Sequence, residues 1–256
     1  MRFADRRVLI TGGASGIGAV LAARFADEGA RIAVCDADPE AMAGFSGKHP
    51  KAITAVADVS DETAMAGFLT LVDQAWDGVD VVIANAGSGG PAGAIETISY
   101  DEWTACLAVN LGGAFLTSRW AAGHMRRAGQ GVILLMSSTA GLFAYPGRAP
   151  YAVAKAGIVT LMTSLASDLG PDGVRVNAIA PGAVTGVRMD RVVAMEAAAH
   201  DVSQDDIRRR YVDGVAMKTW VTSDDVAEMA LFLASDAAAR ISGQVIAVDG
   251  HTETIT

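Results

Sequence analysis

Short β-branched runs alternate with longer alanine-rich amphipathic runs along nearly the whole chain. Strands are expected at 8–11, 31–35, 52–57, 79–84, 131–137, 174–180 and 244–248. Helices are expected at 16–28, 40–45, 61–76, 100–127, 151–169 and 224–235. The set Phe68, Leu69, Leu71, Val72, Ala75 and Trp76 falls at the spacing of one buried helix face. The strand candidates are apolar on both faces rather than alternating, which suits a parallel sheet covered on both sides. This rhythm predicts a doubly wound α/β fold.

Composition narrows the class. The chain has 256 residues, 51% hydrophobic and 19% charged, too apolar for a disordered segment. One domain over 1–256 is expected, since α/β domains reach this size. A net charge of −9 argues against a nucleic-acid partner or an anionic membrane, although a local site can still hold an anionic ligand. Two cysteines, Cys35 and Cys106, cannot build a disulfide framework and fit a reducing, cytoplasmic setting. The apolar run after Arg6 and Arg7 stops at Gly12, unlike a secretory leader. Continuous apolar runs fall well short of the ~20 residues that span a bilayer.

Ser99 with Glu102 reads as a capping box, and Ser60 and Ser223 stand before acidic first turns in the same manner. Gly170–Gly173 should stop the helix before it. Residues 184–222 break the rhythm. Their polar stretch Asp205–Arg210 reads either as a solvated surface helix or as part of a substrate lid.

The loop Thr11-Gly12-Gly13-Ala14-Ser15-Gly16-Ile17-Gly18 follows the first strand and opens the first helix. Glycines let backbone N–H groups approach a phosphate, and the helix N-terminus adds free donors. Gly12, Ser15, Gly16, Ile17 and Gly18 are therefore candidate phosphate contacts. The spacing is G-x-x-x-G-x-G rather than G-x-G-x-x-G. Asp36 ends the second strand, where a carboxylate can bond ribose hydroxyls and repel a 2′-phosphate. No Lys or Arg stands beside it, so NAD is expected over NADP. Asp58-Val59 and Asn85-Ala86-Gly87 end the next two strands, at the edge where such sheets bind ligands.

Ser138 closes the fifth strand, and Tyr151 and Lys155 follow on one face of the next helix. A phenol titrates near ~10, and a neighbouring ammonium lowers that value. The pair can thus exchange a proton. Tyr-x-x-x-Lys alone is common in helices; its weight here comes from the serine and the glycine loop.

Together these residues resemble the short-chain dehydrogenase/reductase family. The resemblance is carried by 11–18, Asp58-Val59, Asn85–Gly87, Asn110, Ser138, Tyr151-Ala-Val-Ala-Lys155 and Pro181-Gly182, over about residues 5–250. It implies a Rossmann-type, seven-stranded parallel sheet with helices on both faces. It implies that Tyr151 exchanges a proton with the substrate oxygen and Ser138 orients that oxygen. Lys155 would hold the nicotinamide ribose, and Asn110 a water linked to Lys155. Asp36 would contact the adenosine ribose and Asp58 with Val59 the adenine. Asn85, Ala86 and Gly87 would line the cofactor, and Pro181, Gly182, Val184 and Thr185 would face the nicotinamide. Thr185 stands one residue before the family's usual threonine. His251 stands where the family often has glycine, with a surface tail or a subunit contact as its two readings. A homotetramer packed through helices 100–127 and 151–169 is also implied.

The activity implied is NAD-dependent hydride transfer between nicotinamide and a secondary alcohol or ketone. A non-catalytic NAD(H)-binding sensor or scaffold on the same fold is the alternative, and it would not need Ser138, Tyr151 and Lys155 together. Four scattered histidines offer no zinc cluster, and no G-x-S-x-G elbow is present. Candidate substrate-pocket walls are 88–94, 140–148 and 184–220. These supply Phe143, Pro146, Met189, Met195 and Trp220, with Arg148, Arg188 and Arg191 as candidate anchors.

Overall fold

A computed structural model describes residues 1–253. Seven strands form one parallel sheet: β1 Arg7–Thr11, β2 Arg31–Asp36, β3 Ile53–Val56, β4 Val81–Ala84, β5 Gly131–Met136, β6 Val174–Pro181 and β7 Val245–Val248. Their order is β3-β2-β1-β4-β5-β6-β7. The order reverses direction between β1 and β4, the point where sheets of this kind bind ligands at their carboxyl ends. All seven expected strands are present, with boundaries moved by at most two residues. The inner strands are buried on both faces, whereas β3 and β7 at the edges are part-open.

The covering helices are α1 Gly16–Asp27, α2 Pro39–Lys48, α3 Glu62–Ala75, α4 Tyr100–Leu107, α5 Gly113–Ala128, α6 Ala149–Leu169, α7 Val187–His200, α8 Gln204–Asp213 and α9 Ser223–Ala234. They make two cores, one per sheet face. Leu9, Phe68, Val82, Met125, Ile133 and Ile158 belong to the first. Val8, Leu21, Phe25, Ile83, Leu134 and Leu231 belong to the second. A third, small cluster of Val193, Ala197 and Ile207 joins α7 to α8.

Several local expectations are corrected. The helix expected over 100–127 is interrupted by a π-helical turn at Ala108–Gly112. Asp61, not Ser60, caps α3 by accepting from Thr63 and Ala64, and Ser60 instead bonds Asp58. Thr222, not Ser223, caps α9 in a box with Asp225. The capping box of Ser99 and Glu102 is as expected. The short helix expected at 40–45 runs from Pro39 to Lys48, with Asp38 as its cap.

By length and composition alone, the stretch Ala149–Asp172 is long and apolar enough to cross a membrane. A test on continuous apolar runs misses it because scattered polar residues interrupt the helix. Ala154, Ile158 and Met162 turn inward, while Val153 is exposed.

Candidate active site at the carboxyl edge of the sheet

The loop between β1 and α1 is tied to the end of β4. The buried Thr11 hydroxyl accepts from the backbone N–H groups of Asn85 and Ala86, both at 3.2 Å. The Asn85 amide donates to the Thr11 and Gly12 carbonyls at 3.0 and 2.9 Å. A Cβ at Gly18 would stand 2.0 Å from the Gly12 carbonyl oxygen, and Gly12 itself has φ +60°. Glycine is required at both positions, by close approach and by backbone conformation.

The α1 N-terminus has no side-chain cap at Ser15 and no acidic residue in its first turn. By contrast, Asp38, Asp61, Ser99, Ser203 and Thr222 cap α2, α3, α4, α8 and α9. The first N–H groups of α1, at Gly16, Ile17 and Gly18, have no intrahelical acceptors, as at any helix start. Uncapped donors at the positive helix end suit an anion. The Asp36 carboxylate lies beside this loop and accepts from Ala14 N–H at 3.1 Å.

Other expected contacts surround the same edge. Asp58 is exposed, with one oxygen engaged by Ser60. Val59 is buried against Gly113. Gly182 packs so closely on Asp249 that a Cβ would lie 2.9 Å away. Val184 bridges Val221, and Thr185 N–H donates to the Val221 carbonyl at 2.9 Å. The Thr185 backbone is thus held, with its side chain exposed.

Ser138 follows β5, and its hydroxyl accepts from Ala140 N–H at 3.2 Å, leaving its own proton to donate. Tyr151 and Lys155 stand one turn apart on α6, with the ammonium 5.6 Å from the Tyr151 ring centre. Lys155 is 3% exposed and donates to the Met136 carbonyl at 2.9 Å. Ser137 steadies this turn by bonding the Lys155 carbonyl at 2.8 Å.

Asn110 occupies the π-helical turn. Its amide nitrogen donates to the carbonyls of Cys106 and Ser88, at 2.9 and 3.1 Å, while its buried Oδ1 has no partner. The resemblance implied a water-holding amide; the structure has a distorted helix with, among the described residues, a half-satisfied side chain. Gly87 closes the group, since a Cβ there would meet Asn110 Oδ1 at 2.7 Å and Lys155 Nζ at 3.3 Å.

Electrostatics favour an acidic phenol. Burial alone would push Tyr151 up. The positive charges of Lys155, Arg188 and Arg148, with a hydrogen bond to Ser138, outweigh it and bring the phenol below the ordinary tyrosine value. Burial likewise pushes the Lys155 ammonium down, and Arg188 adds to that shift, partly offset by Tyr151.

Of the three arginines considered as anchors, two reach Tyr151. Arg148 and Arg188 lie 5.7 and 5.9 Å from its ring centre. Arg191 is exposed. Trp220 packs near Tyr211 and Met189, whereas Phe143 and Met195 remain exposed. One network had no sequence signal. The Tyr145 and Tyr211 hydroxyls are 3.2 Å apart, and Tyr211 donates to Glu196 at 2.8 Å, so Tyr145 donates to Tyr211. Burial pushes both phenols up. Thr11 and Ser137 were likewise missed, because buried hydroxyls at strand ends show no pattern in sequence.

Asp249 accepts from His251 and Thr252 N–H groups, and Gly250–Glu253 bonds back to Gly214–Met217. His251 adopts φ 66°, the left-handed region where the family's glycine would sit freely. A cleft of about 470 Å³ at the opposite, amino-terminal edge of the sheet is lined by Arg6, Asp80, Gly131 and Arg175, away from all of these groups.

A family model described as enoyl-(acyl carrier protein) reductase matches residues 12–251. The chain belongs to the short-chain dehydrogenase/reductase family. It is 36% identical to a probable galactose dehydrogenase, GalD, of Rhizobium meliloti, over 96% of this chain and 94% of that one. It is 31% identical to levodione reductase of Leifsonia aquatica, over 97% and 94%. A levodione reductase crystal structure superposes with TM-score 0.91 at 30% identity, covering 97% and 98% of the two chains. An NAD+-bound xylitol dehydrogenase gives TM-score 0.91 at 27% identity, covering 97% and 99%. The family consists of oxidoreductases that use a nicotinamide cofactor.

Proposed function

We propose that the protein is an NAD-dependent dehydrogenase of secondary alcohols, reversible toward ketones, with Tyr151 as acid and base. The observation that carries this is the convergence of Ser138, Tyr151, Lys155 and the half-satisfied Asn110 beside an uncapped α1 N-terminus. A sensor or scaffold has no use for a phenol lowered by three cations.

The residues present fit a dinucleotide. Gly12 and Ser15–Gly18 would take the pyrophosphate on backbone N–H groups. Asp36 would accept from ribose hydroxyls, and its charge would repel a 2′-phosphate. Asp58 and the Val59 backbone border the adenine position. Ala86 and Gly87 line the groove with Asn85, whose amide nitrogen is already committed to the loop. Pro181, Gly182, Val184 and Thr185 border the nicotinamide position. When bound, the nicotinamide supplies the two-electron hydride acceptor or donor.

The protein's own groups handle the proton. In oxidation, the Tyr151 phenolate accepts the substrate hydroxyl proton, and Ser138 donates a hydrogen bond to the same oxygen. Lys155 keeps the phenol acidic. Asn110 Oδ1, without a partner among the described residues, would hold a water linked to the ammonium. The 184–222 segment acts as the lid of this single domain. The exposed apolar faces of α5 and α6, with Phe115 and Val153, fit homotetramer contacts. Two buried, unpaired thiols fit a cytoplasmic setting.

The test is a turnover assay with NAD and NADP across polyols, hydroxy acids, hydroxyacyl thioesters and cyclic alcohols. NADH formation with one class, at least about tenfold faster with NAD than NADP, is expected. Tight NADH binding without turnover of any class would favour the sensor reading.

A further inference from the structure

Arg148 is an anomaly at the site just described. It is 7% exposed and occupies the N-cap position of α6, the positive end of that helix. Its Nη2 donates to the Gly89 carbonyl at 2.6 Å. Its Nε and Nη1 are buried with no acceptor. Three N–H donors of a fixed cation are therefore shut away from water unsatisfied. The guanidinium lies over the Tyr145 and Tyr151 rings, 5.5 and 5.7 Å from their centres, and has no carboxylate among the described residues to neutralise it.

Arg188, itself exposed, approaches Tyr151 from α7. It rests on the Gly87 carbonyl at 3.3 Å. Neither arginine pairs with a carboxylate among the described residues; nearby Glu196 is engaged by Tyr211 and Asp190 by Arg208. Lys155 differs from them, because Met136 satisfies it and its position under Tyr151 explains it. Two guanidinium groups from two different segments thus sit within 6 Å of the Tyr151 ring centre, each on a neutral carbonyl of the loop after β4. Even a Tyr151 phenolate would leave the cluster positively charged.

We propose that Arg148 and Arg188 grip an anionic group on the substrate, so that the alcohol oxidised is a small hydroxy acid. The oxyanion lies within a few bonds of the carbinol carbon, because both guanidiniums lie against the ring that takes the proton. The contact also joins the 184–222 segment to the α6 start, since Arg188 comes from one and Arg148 from the other. A carboxylate, a sulfonate or a phosphate would satisfy the same donors. Neutral polyols and ketones can accept hydrogen bonds there but leave the positive charge without a counter-charge. This inference rests on Tyr151 being the proton carrier, and it names the substrate class of that reading.

The experiment compares matched alcohols with NAD: a short hydroxycarboxylate, its methyl ester and its carboxamide, with the hydroxysulfonate and hydroxyphosphate analogues as further arms. One of the three anions should exceed the ester in kcat/KM by about 100-fold or more, and which one leads identifies the oxyanion. That ratio should collapse about 100-fold in Arg148→Met, chiefly through KM, and recover in part in Arg148→Lys. Arg188→Met should lower it less, and it carries the comparison if Arg148→Met does not fold. An ester or a neutral polyol matching the best anion, or an unchanged ratio in the Arg148 variants, overturns the proposal while leaving the dehydrogenase reading intact. If no alcohol is oxidised, that reading falls. The anion site is then decided by titrating the oxo acid and its ester into the NADH complex, followed by cofactor fluorescence. Saturable binding of the acid alone, lost in Arg148→Met, supports the site; binding of both or of neither overturns it.

Discussion

The glycine loop between β1 and α1 and the 184–222 segment hold their surroundings in opposite ways. The loop is fixed by backbone. Thr11, Gly12, Gly18 and Asn85 meet at distances that leave no space for a methyl group. The segment is held by backbone only at its base and tail, and between them by side chains around its own small cluster of Val193, Ala197 and Ile207. It is pinned at few points: the Val184–Val221 bridge, the Tyr145–Tyr211–Glu196 chain, the Arg188 contact to Gly87 and the tail at Gly214–Met217. On the proposed function, an unchanging cofactor would be met by a backbone that cannot vary, and the substrate by side chains that can.

The largest test of this division is Tyr151→Phe, which belongs to the rigid side. It should cut turnover about 1000-fold while NADH affinity stays nearly unchanged. Next is Gly18→Ala, whose Cβ would collide with the Gly12 carbonyl. A loss of about 3 kcal/mol in chemical denaturation, together with weakened NADH binding, is expected. Ile207→Ala acts on the other side. It should cost about 2 kcal/mol, appear as faster amide exchange confined to 187–213 and raise KM without altering NADH affinity. A global loss of stability would show that the segment is not separately packed.

Arg188→Met removes a cation that lowers the Tyr151 phenol. The phenol value then rises, so the limb of kcat/KM that increases with pH should move to higher pH, by less than about one unit. A shift downward would break the electrostatic account. The smallest effect is His251→Gly. Relief of the left-handed residue should add up to about 1 kcal/mol to the thermal stability.

The division also explains what could be read from sequence. The strands and the loop follow from local pattern: apolar runs, glycines at fixed spacing, a carboxylate at a strand end. Ser138, Tyr151 and Lys155 are legible because two short spacings place them. Capping was legible only to within a residue, since Asp61 and Thr222 took the roles that Ser60 and Ser223 could equally have filled. The π-helical turn at Asn110 was not legible, because an amide in an apolar helix does not announce that its neighbours bond it from outside the helix. The Tyr145–Tyr211 contact was out of reach for the same reason: its partners are 66 residues apart. Arg148 could be named as an anchor from its place before Tyr151, but its missing acceptors exist only in three dimensions.

The central claim is that this fold makes one tyrosine acidic. Titration of phenolate absorbance in wild type against Tyr151→Phe tests it without substrate or turnover. Tyr145 and Tyr211 are pushed up, so they do not mask the signal. The account predicts that the difference between the two proteins is one phenol ionising below the ordinary value of ~10. A difference appearing only at or above that value would contradict it.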